Sequence, residues 1–131
     1  MTTELEVLVY GCLLLIAHIL IAVSYKTRQY GRAWNMGPRD DALPPLDAVP
    51  GRLARAQANF LETFPLAIVG MLGLALTGRG NEVTAIAAWV WLGARLIYLP
   101  LYWAGVPKIR TAVWASSMAA LLVILAVLLF A

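Results

Sequence analysis

Hydrophobic residues in this chain gather into four long runs, at about 5–25, 53–77, 83–104 and 111–130, with polar residues, glycine and proline between them. A helix rises about 1.5 Å per residue, so roughly 20 apolar residues cross the ~30 Å hydrocarbon core of a bilayer. Each run meets that length, and a helix satisfies its own backbone hydrogen bonds, as lipid demands. The pattern predicts an all-α integral membrane four-helix bundle, one domain over residues 1–131. The first connection, Lys26 to Arg52, holds Gly31, Gly37, Pro38, Pro44, Pro45, Pro50 and Gly51 and reads as a polar loop. The second, Thr77 to Glu82 with Gly78 and Gly80, and the third, Gly105 to Lys108 with Pro107, read as tight turns that make neighbouring helices antiparallel. The first run follows Glu4 and Glu6 rather than lysines, and no small-residue cleavage site comes after it, so it is expected to be retained as a helix.

Composition agrees with lipid as the solvent: 62% of residues are hydrophobic, 13% are charged, and the mean hydropathy is +0.79. The net charge of +3 does not point to nucleic acid, because the basic residues flank apolar runs instead of forming an aromatic-interleaved patch. Their distribution instead predicts topology. Lys26, Arg28, Arg32, Arg39, Arg52, Lys108 and Arg110 flank the first and third connections, whereas Arg79 alone marks the other side. The positive-inside rule then puts the first and third loops in the cytoplasm and both termini on the non-cytoplasmic side. Tyr25, Tyr30, Trp34, Trp103 and Trp114 fit an aromatic belt at the same boundary. A single cysteine, Cys12, and a single histidine, His18, exclude an intrachain disulfide and argue against a metal site, so none is expected. His18 reads as a polar contact between helices.

The second run opens with polar residues that do not suit lipid. Arg52, Arg55, Asn59 and Glu62 are separated by three, four and three residues, which lines them on one helical face. In the third run Arg95, Tyr98 and Tyr102 form a matching stripe, and Arg110 opens the fourth run on the same side. An ion near the bilayer centre costs at least about 2.5–3.5 kcal/mol, so Glu62 and Arg95 are expected to pair or to face a wet cavity. A buried ion pair with Asn59 as an interhelical donor accounts for part of this set on structural grounds alone. The excess of arginines over carboxylates, however, favours an anionic ligand.

These same residues carry a family resemblance. The run from Arg55 to Leu66, Arg-Ala-Gln-Ala-Asn-Phe-Leu-Glu-Thr-Phe-Pro-Leu, followed by Ala94 to Tyr102, Ala-Arg-Leu-Ile-Tyr-Leu-Pro-Leu-Tyr, resembles the MAPEG family, the membrane-associated proteins in eicosanoid and glutathione metabolism. The resemblance covers essentially the whole chain. It implies a homotrimer with glutathione as co-substrate, held between subunits and open to the cytoplasm. It further implies that Arg55, Asn59 and Glu62 hold the glutathione backbone, that Arg95, Tyr98 and Tyr102 belong to the same site, and that Arg110 stabilises the thiolate. A first-helix basic residue joins the site in active members; Lys26, Arg28 and Arg32 compete for that place, and Arg28 is favoured. Ala58 stands where some relatives carry a further basic residue, and the spacing from Tyr102 to Arg110 differs by a residue or so among members.

The function expected from this resemblance is a microsomal-type glutathione transferase, with peroxidase activity toward lipid hydroperoxides as a companion chemistry. Its role would be detoxification, and its lipophilic second substrate would arrive from the bilayer. The alternative is a non-catalytic membrane protein of the same fold that binds a lipid-like ligand or a partner. A small proton-coupled exporter is disfavoured, because such a carrier needs a carboxylate free of arginine partners.

Overall fold

A computed structural model describes all residues, 1–131, and contains five helices and no strand. They are α1 (Thr3–Tyr30), α2 (Arg32–Met36), α3 (Ala48–Thr77), α4 (Glu82–Ala104) and α5 (Lys108–Phe130). All but the five-residue α2 are long and apolar enough to cross a membrane. The helices take in much of the predicted loop: α1 continues to Tyr30, α2 follows at once, and α3 already begins at Ala48. At 28 and 30 residues, α1 and α3 extend about 42 and 45 Å, some 10–15 Å more than the hydrocarbon core needs. The excess falls where the charges are, at the end of α1 and the start of α3.

Local chemistry sets the helix ends. Thr2 caps α1 by accepting from Leu5 N–H, and Glu4 and Glu6 occupy its first turn, where the helix dipole favours acids. Asn81 and Thr84 form a reciprocal capping box at the start of α4. The two tight turns leave their helices through Gly78 (φ 67°) and Gly105 (φ 77°), left-handed positions that suit a residue without Cβ. Arg52 Nε donates to the Trp103 carbonyl (3.0 Å) and Arg79 Nη1 to that of Leu128 (2.6 Å), so each arginine satisfies an otherwise orphaned acceptor at a helix C-terminus. Arg52 is thus engaged in closing α4. Both interior prolines, Pro65 and Pro100, lie within continuous helices on exposed positions.

Inside the bundle α3 packs on α1, and α4 on α5. The centre is aromatic: Phe60 stacks on Phe64 (5.0 Å), both rings lie 6.1 Å from Trp91, and His18 from α1 stacks on Phe60 at 5.0 Å. His18 makes its interhelical contact as a ring, since neither imidazole nitrogen has a hydrogen-bond partner. Large apolar side chains such as Leu13, Leu20, Val69 and Leu122 are exposed around the outside. In water such a surface would aggregate; in lipid it is the contact surface. At the end remote from the arginines, buried Glu4 accepts from the Thr84 hydroxyl (2.5 Å), tying α1 to α4.

Gly11 makes the approach of α1 to this aromatic centre possible. A Cβ there would lie 2.9 Å from the Trp91 ring and 3.0 Å from Phe64. Gly11→Ala is therefore expected to destabilise the bundle by about 1–3 kcal/mol through overpacking. Denaturant unfolding in micelles measures this, and an unchanged midpoint would contradict the contact.

Candidate functional site

At the basic end of the bundle, α3, α4 and α5 converge on a small polar cavity. The buried guanidinium of Arg95, only 1% exposed, lies behind it. Arg95 Nη1 donates to Asn59 Oδ1 at 3.0 Å, and the group sits 4.4 Å from the Tyr98 ring centroid and 5.1 Å from that of Phe60. Rings on either side compensate part of the lost hydration by cation–π attraction. Tyr98 meets Tyr102 edge-on at 5.6 Å, and Arg110 from α5 stands 4.4 Å over Tyr102. Asn59, Arg95, Tyr98, Tyr102 and Arg110 thus form one continuous set of contacts across three helices. Asn59, Tyr98, Arg110, Thr111 and Trp114 line a cavity of about 150 Å³.

Helix rotation explains the part that differs from expectation. Arg95 pairs with Asn59 and not with Glu62. Three residues turn a helix about 60° short of a full circle, so Glu62 lies farther from the core-facing side of α3 than Asn59 does. Asn59 is half-buried at the inner margin of the stripe, whereas Arg55 and Glu62 are exposed on its outer margin. Arg28 is exposed on α1, over the Tyr25 ring at 4.8 Å, and within one chain it does not reach the cavity formed by α3, α4 and α5. Two residues enter the lining that the spacing of charges did not reveal. Thr111 and Trp114 follow Arg110 by one and four residues, so the helical period of α5 was the signal available. Trp114, one of the residues that fit the aromatic belt, also forms part of this wall. Its indole N–H is buried without a partner and is a free donor beside the cavity.

The electrostatics of this end are one-sided. Arg95 Nε and Nη2 have no hydrogen-bond partner, and neither Arg95 nor Arg110 hydrogen-bonds to a carboxylate. One cation, an amide, a phenol and an indole N–H line this small space, with the second cation, Arg95, behind it, and together they suit an anion with several acceptor atoms. Within one chain, no group of three His, Cys, Asp or Glu side chains comes together.

A family model described as the MAPEG family matches residues 7–130 of the 131. The chain belongs to the MAPEG family. The four membrane-length helices are its four-helix bundle, and the chain is a multi-pass membrane protein. The family includes glutathione transferases and related proteins. No curated protein matches the sequence.

The Asn59–Arg95 bond yields a stability test. Asn59→Leu leaves a buried guanidinium without its acceptor and is expected to cost about 2–3 kcal/mol. The double variant Asn59→Leu with Arg95→Met removes both partners and should be more stable than Asn59→Leu alone. Unfolding in detergent measures both; a double variant less stable than the single one would contradict the pairing.

Proposed function

We propose that this MAPEG member is a membrane glutathione transferase whose Arg110 holds the glutathione thiolate for attack on a lipophilic electrophile. The observation that carries the reading is the uncompensated cationic cavity of Asn59, Tyr98, Arg110 and Trp114, backed by Arg95. Glutathione carries two carboxylates, an ammonium group and a thiol. Arg55 and the tyrosine hydroxyls suit the carboxylates, and Glu62 suits the ammonium. Arg95 acts from behind, fixing Asn59 and Tyr98 rather than touching the ligand.

The size of the cavity supports a site shared between chains. Sites for ligands of this size occupy about 300–1,000 Å³, while one chain encloses only about 150 Å³ here. Arg55 and Glu62 face outward from the single chain. A homotrimer in which a neighbour closes the space over these residues accommodates both facts, and Arg28 of that neighbour is then the first-helix contribution. The basic end faces the cytoplasm in this reading, where glutathione is available.

In the reaction the thiol proton leaves to solvent, and the Arg110 guanidinium stabilises the sulfur anion, lowering the thiol pKa. The sulfur lone pair forms a bond to the electrophilic carbon, and the leaving group departs with the electron pair of its own bond. Tyr102, under Arg110 at 4.4 Å, steadies the guanidinium by a cation–π contact.

Stopped-flow ultraviolet absorbance of the thiolate, in detergent-solubilised protein mixed with glutathione, tests this assignment. Wild type should show a rapid thiolate signal. Arg110→Ala should reduce it at neutral pH by on the order of tenfold or more, the consequence of a thiol pKa returning toward about 8.5. Glutathione binding should survive in Arg110→Ala and weaken in Arg55→Ala. An Arg110→Ala signal equal to wild type would overturn the catalytic role.

A further inference from the structure

A second polar pocket lies outside the bundle, in the connection between α1 and α3. It measures about 360 Å³ and is lined by Tyr30, Trp34, Pro38, Arg39, Asp40 and Asp41 among others. The chain on either side of it is fastened to α1. The Tyr30 hydroxyl donates to the Pro44 carbonyl (2.5 Å), and Gln29 clasps the returning chain twice, donating to the Pro45 carbonyl (3.1 Å) and accepting from Asp47 N–H (2.8 Å). Asn35 Nδ2 donates to Thr27 Oγ1 (2.8 Å), which fastens α2 back onto α1. The segment is therefore a strap fastened at both ends.

Within it, Tyr30 and Trp34 meet at a steep angle, 60° between planes and 5.2 Å between centroids, forming two sides of an aromatic corner. The Trp34 face already carries a cation: the Arg39 guanidinium lies 4.3 Å from its centroid and donates to the Asn35 carbonyl at 3.2 Å. Arg39 is the one non-glycine residue with positive φ, at 61°. A left-handed conformation is costly for such a residue and persists only where its surroundings impose it. Asp40 and Asp41 follow directly and line the same pocket. One small concavity thus offers an aromatic corner, two carboxylates and a guanidinium.

We propose that this pocket binds the zwitterionic headgroup of a membrane phospholipid. Its ammonium takes the Trp34 face beside Asp40 and Asp41, and its phosphate takes the Arg39 guanidinium, which exchanges one partner for another. The charge pattern selects this ligand. An anionic headgroup would meet Asp40 and Asp41 without compensation, and a simple cation would displace Arg39 from the Trp34 ring without offering its guanidinium an anion. The position selects the source. The pocket begins at Tyr30, the last residue of a helix about 42 Å long, and so stands at headgroup level. Such a lipid would fasten the first connection, and with it the start of α3, to the membrane surface. The inference is independent of the glutathione site, with which the pocket shares no residue.

Native mass spectrometry of the full-length protein in detergent, given equal amounts of phosphatidylethanolamine, phosphatidylcholine and phosphatidylglycerol, tests it. One zwitterionic lipid per chain should be retained about tenfold over phosphatidylglycerol. Trp34→Leu keeps apolar bulk but removes the cation-binding ring face, and should lower retention roughly five- to tenfold. Asp40→Asn with Asp41→Asn alters only exposed loop residues, so it serves even if Trp34→Leu fails to fold, and should shift preference toward phosphatidylglycerol. Equal retention of the three lipids by wild type, or no change of preference in the aspartate variant, overturns the proposal. Soluble glycerophosphoethanolamine should compete poorly; competition at the lipid's own concentration would make the ligand a soluble phosphoester and overturn the lipid assignment.

Discussion

A guanidinium buried among membrane-spanning helices is the constraint on which the rest of this structure depends. Arg95 cannot face lipid, and burial deprives it of water, so the bundle must surround it with groups that tolerate a cation. It does so with one amide oxygen and two aromatic faces: Asn59 at 3.0 Å, and the rings of Tyr98 and Phe60. That solution fixes the rotation of α3 relative to α4, since Asn59 must turn inward. It also orients Tyr98, whose ring is bound on one side by the cation and on the other by Tyr102. The polar cavity is what these commitments leave between α3, α4 and α5.

The same constraint explains why the cavity is cationic. Had Glu62 neutralised Arg95, the result would have been a closed ion pair with little use for a ligand. With Asn59 as the partner, the positive charge is hydrogen-bonded yet uncancelled, and Arg110 adds a second cation at the mouth. Glu62 remains at the surface, free to meet an ammonium group or a neighbouring chain. A site divided between a finished interior and an unfinished exterior fits the shared site of the proposed trimer.

Much of this was legible in the chain because lipid imposes strict rules. Span length, intrahelical hydrogen bonding and turn glycines left little freedom, and the three- and four-residue spacings put Tyr98 with Tyr102 and Arg55 with Asn59 on common faces. The partner of Arg95 was not legible. A polar stripe has a width of several tens of degrees, and whether Asn59 or Glu62 lies inward depends on helix rotation, which packing against α1 and α4 decides. Nor was the strap, since the bonds of Gln29 and Tyr30 to Pro44, Pro45 and Asp47 bridge fourteen to eighteen residues through side chains with no periodic signature. Trp114 was hidden for a different reason: a tryptophan near a bilayer boundary suits the interface and a cavity wall equally well.

The cationic end of the bundle is proposed as a binding site for an anionic tripeptide thiol. Isothermal titration of glutathione into the wild-type protein in detergent tests it most directly. Saturable binding with one site per chain is expected. A folded preparation that shows no saturable heat over millimolar glutathione would contradict it.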